Sequence, residues 1–140
     1  MVRIYIGGCY NNLEEIREAQ QLIEENGFEI SYDWTERAKE KNPRTHENLE
    51  IDASKDILGV LDADWTILLM TDKSYIYRGT FTELGASIAR DLNKNQQQTI
   101  IVGSDDTYAN DCCFWHHPNI IHELTIENAI ETIKLGLEKI

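Results

Sequence analysis

The sequence predicts an α/β fold in which a mostly parallel, five-stranded sheet lies between two layers of helices. Short apolar runs alternate with longer stretches of helical periodicity along the whole chain. The run at residues 65–70 is almost continuously apolar, which is typical of a central strand that is covered on both faces. A length of 140 residues suits one hydrophobic core, so we expect a single domain over residues 1–140.

The first strand is predicted at residues 3–6, before the tight turn Gly7-Gly8. Apolar residues then recur three and four positions apart, which indicates a helix with one buried face. Asn11 or Asn12 suits the N-cap of this helix, because a short side-chain oxygen can accept from backbone N–H groups of the first turn. Gly27 ends the helix, since glycine tolerates the left-handed conformation found there.

Residues 28–34 alternate between apolar and polar side chains, so they are predicted to form the second strand. Residues 35–45 are charged and contain Pro43, which indicates a loop long enough to be functional. Apolar positions at helical spacing then predict a helix over residues 47–62, directly before the central strand.

The second half of the chain continues this alternation. A helix is predicted at residues 80–93, a strand at 99–102, a short fifth strand at 120–121 and a closing helix at 125–137. Strands that alternate with helices form parallel sheets through right-handed crossovers. We therefore expect a flavodoxin-like or Rossmann-like three-layer sandwich with strand order 2-1-3-4-5, whose ligands bind where strands 1 and 3 lie side by side.

Charge and composition limit the classes of partner. The chain has 25 acidic and 13 basic residues, a formal net charge of −12, and such a surface repels a nucleic-acid backbone. The longest apolar stretches fall well short of the ~20 residues of a membrane helix. The first residues lead directly into a strand and do not resemble a signal peptide. A cytoplasmic protein with a small-molecule ligand is expected, without nucleic acid or membrane as a partner.

The cysteines favour a reduced compartment, because Cys9, Cys112 and Cys113 are odd in number and two of them are adjacent. His116 and His117 follow closely, but the spacing matches no standard zinc motif and no second ligand pair completes a four-ligand site. No metal site is expected.

Glu83 is the strongest catalytic candidate. It follows the central strand and lies at the start of a predicted helix, where the ionised carboxylate is favoured by roughly 0.3–1 kcal/mol. A positioned carboxylate can attack a sugar carbon. The competing interpretation is a capping box, Thr80-x-x-Glu83, in which the side chain only accepts from the backbone N–H of Thr80.

Further polar side chains are expected near Glu83 at this edge of the sheet, namely Tyr5, Asp56 and Asp64. The glycines of Gly7-Gly8 let the backbone come close to a ligand. Each also has a structural explanation: a half-buried strand residue for Tyr5, a solvated helix position for Asp56, a cap for Asp64 and a simple turn for the glycines.

Three segments, in this order, resemble the nucleoside 2-deoxyribosyltransferase family and its nucleotide N-glycosidase relatives. They are Tyr5-Ile6-Gly7-Gly8, the run DILGVLDAD from Asp56 to Asp64, and Thr82-Glu83-Leu84-Gly85-Ala86. The resemblance covers residues 3–103, with a looser match at 114–119. It implies that a 2-deoxyribosyl group is transferred between bases, or released to water, with retention and without a metal or organic cofactor.

The resemblance also implies a role for each matched residue. Glu83 would be the nucleophile at the anomeric carbon, Tyr5 would orient it, and Asp56 would manage protons on the leaving base. Asp56 should then keep a proton near neutral pH, through partial desolvation and a neighbouring carboxylate. Asp64, which starts the central strand, is interpreted as structural.

The chain departs from the family pattern at Tyr77, which stands where the transferases have a second aspartate, six residues before the nucleophile. Tyr75 or Tyr77 could stack on a base or simply cover the loop. Arg78, with Thr80 or Thr82, is a candidate for binding a 5′-phosphate at the helix start. The net charge of the chain disfavours an anionic substrate, whereas these three residues favour one. Nucleoside and 5′-monophosphate substrates therefore both stay open.

Family members complete their sites with a loop of a neighbouring subunit, so the resemblance implies a homo-oligomer with shared sites. The candidate loop is 114–119, and His116 and Asn119 are its candidate substrate-binding side chains. Trp34, at the end of the second predicted strand, could form a wall of the pocket.

Two classes of function follow from these observations. The first is an N-glycosyl-bond enzyme of the deoxyribosyltransferase type, with a base or water as the acceptor. The second is a nucleotide-binding or sensory module that keeps the fold without catalysis. The altered Tyr77 position favours the second, whereas the joint presence of Tyr5, Asp56 and Glu83 favours the first.

Overall fold

The computed structural model describes residues 1–138 and contains one five-stranded, all-parallel sheet in the order 2-1-3-4-5. This confirms the predicted α/β fold class and strand order. The strands are β1 (Arg3–Gly8), β2 (Glu29–Ile30), β3 (Trp65–Leu69), β4 (Thr99–Val102) and β5 (Ile120–Glu123). The helices are α1 (Leu13–Glu25), α2 (Thr35–Glu40), α3 (His46–Asp62), α4 (Arg78–Asn93) and α5 (Ile126–Glu138).

Both faces of the sheet are covered, which explains the apolar composition of β3. Trp65, Ile67 and Leu69 pack in the core under α1 and α5, whereas Leu68 packs in the opposite core with residues of α4. Full burial of one such aliphatic side chain contributes about 1.5–3 kcal/mol. Within residues 1–138, the helices are too short or too polar to cross a membrane.

The ends of α1 follow the prediction. Asn12 is the N-cap, although its side chain bonds to Glu15 rather than to the backbone. Gly27 has a φ of +86°, the left-handed conformation that glycine adopts at low cost.

The prediction is wrong around the second strand. β2 contains only Glu29–Ile30, and its pairing with β1 ends soon after, where the backbone N–H of Ser31 donates to the carbonyl of Ile4. The predicted loop at 35–45 begins with α2 instead. The carboxylate of Asp33 accepts from the backbone N–H of Thr35 at 3.0 Å, which supplies the acceptor that the first turn of a helix needs. The alternation of apolar and polar residues at 28–34 therefore does not mark one continuous strand, because some of these side chains pack beside the candidate site instead.

The glycines after the first predicted strand also differ from the prediction. β1 runs through Gly8, and Gly7 and Gly8 pair with Leu68 and Leu69 of β3 rather than forming a tight turn. Glycine suits this strand position because a Cβ atom at Gly8 would lie 2.5 Å from Cδ1 of Ile16 and 3.0 Å from the carbonyl oxygen of Leu69.

Buried Arg90 on α4 holds α3 against α4. Its Nη1 atom donates to the carbonyl oxygens of Val60, at 2.8 Å, and Ala63, at 3.0 Å, at the end of α3. Its charge is balanced by the buried carboxylate of Asp91 at 3.0 Å. Removing one partner of such a buried pair typically costs about 3–5 kcal/mol. This contact fixes the spacing between the two helices that carry the candidate carboxylates.

Candidate active site

A cavity of about 380 Å³ lies at the carboxyl ends of β1 and β3, within the size range of small-molecule sites. The strand order places it where α/β proteins of this topology bind ligands. The residues that line it are Gly8, Tyr10, Trp34, Ala53, Asp56, Ile57, Tyr75, Tyr77, Gly79, Thr80, Thr82 and Glu83.

The hydrogen bond between Tyr5 and Glu83 is the central feature of this cavity. The Tyr5 hydroxyl, on the fully buried ring of β1, donates to Oε2 of Glu83 on α4. Gly7 makes room for the carboxylate, because a Cβ atom there would lie 2.7 Å from Oε1 of Glu83. One carboxylate oxygen is thus held by Tyr5, and the other lies over the backbone of Gly7.

Gly59 on α3 brings that helix close to the ring of Tyr5. A Cβ atom at this position would lie 3.1 Å from the Cδ2 and Cε2 atoms of Tyr5 and 2.8 Å from Cβ of Tyr32. The close packing places Tyr5 between α3 and α4. No role was predicted for Gly59, although an interior helical glycine costs roughly 0.5–1 kcal/mol relative to alanine and is itself a signal of a close approach.

The pKa of Glu83 is raised from 4.5 to about 8, mainly by burial; the Tyr5 hydrogen bond lowers it and the nearby charge of Asp56 raises it. The predicted helix-start and capping-box explanations of Glu83 are both wrong. α4 begins at Arg78, so Glu83 lies beyond the first turn, where the helix dipole has little effect. The N-cap is Tyr77, whose φ of +61° is left-handed and could not be inferred from the sequence.

Asp56 on α3 shares the cavity with Glu83. Its pKa rises to about 6, mainly through burial and then through the charge of Asp52, while Arg37 lowers it. The partial desolvation and the neighbouring carboxylate that we expected are present. However, Glu83 has the higher pKa of the two, so a single proton resides mainly on the candidate nucleophile.

Burial and the carboxylates Glu83 and Asp56 raise the pKa of Tyr5 far above its usual range. The phenol therefore stays neutral and can only donate to Glu83, which is the interaction that an orienting residue needs.

Three other predicted substrate-binding residues line the cavity, and their polar groups are hydrogen-bonded to backbone groups. The indole N–H of Trp34 donates to the carbonyl of Ile6 at 2.7 Å, and the Thr80 hydroxyl donates to the carbonyl of Gly8 at 3.2 Å. The ring of Tyr77 is buried, and its hydroxyl accepts from the backbone N–H of Asp72 at 2.9 Å. These residues shape the cavity walls.

The structure does not bring Arg78, His116 or Asn119 to this cavity. Arg78 is exposed and lies outside the lining residues. The ring of His116 bonds to Asn110 at 2.9 Å, and Asn119 donates to the carbonyl of Gln96 at 3.0 Å. Within one chain, the last two are structural, and their contribution to a neighbouring site stays a prediction.

Asp64 has the structural role that was expected, because its carboxylate accepts from the backbone N–H of Arg3 at 2.8 Å. Four cavity-lining residues, Tyr10, Ala53, Ile57 and Gly79, were not among the predicted site residues. The Tyr10 hydroxyl donates to the carbonyl of Ala38 at 3.2 Å, which joins the loop after β1 to α2. Since α2 itself was predicted as a loop, the sequence offered no signal for this contact.

A second cavity, of about 420 Å³, lies between α1 and α5 on the other side of the sheet. It contains several glutamates but no tyrosine–carboxylate pair. Among residues 1–138, no three His, Cys, Asp or Glu side chains are grouped so that they could hold a metal ion.

A scan against protein-family models finds no match for the chain, and a search of the curated proteins finds no similar sequence. The resemblance to deoxyribosyltransferases thus depends on three short segments, and function must be argued from the geometry of the site.

Proposed function

We propose that the chain is a nucleoside 2-deoxyribosyltransferase-like enzyme that cleaves the N-glycosidic bond of a 2′-deoxynucleoside or its 5′-monophosphate and transfers the sugar to another base. Transfer to water, which would make it an N-glycoside hydrolase, uses the same intermediate. The observation that supports this proposal best is the buried Tyr5–Glu83 hydrogen bond in a cavity that also contains Asp56. A pure binding site has no need for this arrangement.

In the first step, a Glu83 oxygen attacks the anomeric carbon while the bond from that carbon to the base breaks. The electron pair of the broken bond goes to the departing base, and a glycosyl ester forms on Glu83 through an oxocarbenium-like transition state. Tyr5 holds Oε2, so Oε1 is the oxygen free to react. In the second step, a base or water attacks the same carbon and releases Glu83, and two inversions give retention.

Departure of a neutral base requires a proton, and Asp56 is the group in the cavity that can supply it. The reactive form therefore has Glu83 ionised and Asp56 protonated. With pKa values of about 8 and about 6, the opposite arrangement is favoured. A two-unit difference leaves roughly 1% of the singly protonated site in the reactive form.

We further propose that the active assembly is a homo-oligomer. Phe114 is 60% exposed, and His116 and Asn119 lie outside the cavity of their own chain. A second copy that covers this loop would bury the aromatic side chain and could bring both polar residues to its neighbour's substrate. Light scattering coupled to size exclusion should give a mass above that of one chain, and Phe114→Ser should reduce it.

The test of the proposed function is a product assay. The protein is incubated with 2′-deoxynucleosides and their 5′-monophosphates, with and without a free acceptor base, and the products are separated by chromatography. A new nucleoside that appears only with the acceptor supports transfer, and free base without an acceptor supports hydrolysis. Glu83→Gln should abolish both, whereas Glu24→Gln, an exposed position on α1, should not. If wild type and Glu83→Gln are equally inert, a non-catalytic binding module explains the site better.

A further inference from the structure

The charge of the cavity is one-sided. Of the residues that line it in the part of the chain that the structure describes, Asp56 and Glu83 are acidic and none is Lys, Arg or His. Arg37, whose charge lowers the pKa of Asp56, is outside the lining and forms an ion pair with Asp52 at 2.6 Å. A phosphate in this cavity would therefore meet no cationic side chain among the lining residues. The formal net charge of −12 adds to the repulsion of anions and the attraction of cations.

Four of the other ten lining residues are aromatic. Trp34, Tyr10, Tyr75 and Tyr77 all line the cavity. Several of these rings are held in place: Trp34 and Tyr10 by hydrogen bonds to backbone carbonyls, and Tyr77 by an edge-to-face contact with Tyr75 at 4.8 Å between ring centroids. Aromatic side chains held next to carboxylates are the composition with which proteins bind quaternary and aromatic cations.

We infer that the preferred substrates are unphosphorylated N-glycosides whose base carries a fixed positive charge, such as 2′-deoxynucleosides of N-alkylated purines or of pyridinium bases. This inference rests on the proposed function and narrows it to a substrate class.

The chemistry of such substrates fits the two carboxyls of the site. When the glycosidic bond breaks, its electron pair neutralises the positive ring, so the base leaves uncharged and needs no proton. Glu83 forms the ester bond to the anomeric carbon. Water then attacks that carbon, the Glu83 carboxylate departs, and the proton of the water passes to Asp56 or to solvent. Asp56, with a pKa of about 6, is mostly a carboxylate at neutral pH, where it can face the cation rather than act as an acid.

Binding of unreactive probes tests the inference without any turnover. Calorimetry compares the N1-methylnicotinamide cation with neutral nicotinamide, which has nearly the same shape. We expect the cation to bind roughly tenfold more tightly or better. Asp56→Asn and Trp34→Leu should remove this preference. Asp62→Asn, at an exposed position of α3 outside the cavity, should retain it. Equal binding of the two probes, or tighter binding of nicotinamide, would overturn the inference.

Turnover separates the inference from the proposed function. The substrates are 7-methyl-2′-deoxyguanosine, 2′-deoxyguanosine and their 5′-monophosphates, and each rate is divided by the uncatalysed rate because the methylated compounds are intrinsically labile. We expect the larger enhancement for the methylated nucleoside and a lower kcat/KM when the phosphate is present. An equal or larger enhancement for unmethylated 2′-deoxyguanosine would overturn the inference and leave the proposed function standing. If wild type does not exceed Glu83→Gln with any substrate, both fail.

Discussion

The raised pKa of Glu83 predicts a pH-dependent loss of stability that Glu83→Gln should remove. In the unfolded chain this carboxyl titrates near its ordinary value of 4.5, and in the folded protein near 8. Below the lower value it is protonated in both states, so the full stability is present. As the pH rises, the unfolded state ionises first, and the folded state loses stability until the pH exceeds the folded pKa.

The magnitude follows from the size of the shift. A rise from 4.5 to about 8 corresponds to an upper limit of about 5 kcal/mol at 1.36 kcal/mol per unit. Because Glu83 is only half-buried and faces an open cavity, we expect about 2–4 kcal/mol. This is a large part of the 5–15 kcal/mol that typically separates folded from unfolded domains.

Urea denaturation at about pH 5, 7 and 9 measures this effect in wild type and Glu83→Gln. The free energy of unfolding of the variant, relative to wild type, should increase steadily with pH. Glu24→Gln, an exposed carboxylate on α1, should run parallel to wild type. If the Glu83→Gln and wild-type curves are parallel as well, Glu83 titrates normally in the folded protein and the electrostatic account of the site is wrong.

Three further predictions concern neighbours of Glu83. Tyr5→Phe removes the hydrogen bond that the Tyr5 hydroxyl donates to Glu83, and a bond to a charged group is worth about 1.5–3 kcal/mol. We therefore expect kcat/KM at neutral pH to fall roughly 10- to 100-fold and to recover partly at higher pH. With neutral nucleosides, wild-type kcat/KM should peak at about pH 7, between the pKa values of Asp56 and Glu83. In Asp56→Asn the decline of kcat/KM on the alkaline side should disappear. A pH profile that is unchanged in the variant would contradict the role of Asp56 as an acid. Gly59→Ala should cost about 1–3 kcal/mol of unfolding free energy by overpacking against Tyr5. Gly85→Ala, on α4 with open space around it, should be neutral or stabilising in the same denaturation measurement.

The overall topology could be predicted because it depends on local periodicity. The apolar run of β3, the helical spacing of α3 and α4 and the glycine after α1 each identify an element from a few neighbouring residues. Their alternation predicts a parallel sheet with right-handed crossovers, and the observed order 2-1-3-4-5 is one of the common orders of such sheets. The error at β2 and α2 has the opposite origin, since Trp34 bonds to Ile6, 28 residues earlier, and its position in an alternating segment reflects that distant contact.

The candidate site was predictable in part for the same reason. Glu83 and Asp56 could be placed near the sheet edge from the order of the elements, and the cavity brings both together. The Tyr5–Glu83 hydrogen bond, which spans 78 residues, and the close packing of Gly59 depend on how α3 and α4 dock. That docking is set by the contacts of Arg90 with the end of α3, which no local sequence pattern predicts.

The central claim is that a glycosyl ester forms on Glu83, and acid quenching followed by peptide mass spectrometry tests it most directly. The protein is mixed with a 2′-deoxynucleoside without acceptor base, quenched at short times and digested. We expect the added mass of one 2-deoxyribosyl group on the peptide that contains Glu83, lost when an acceptor base is supplied and absent in Glu83→Gln. Turnover without any adduct on that peptide, or an adduct on another residue, would contradict it.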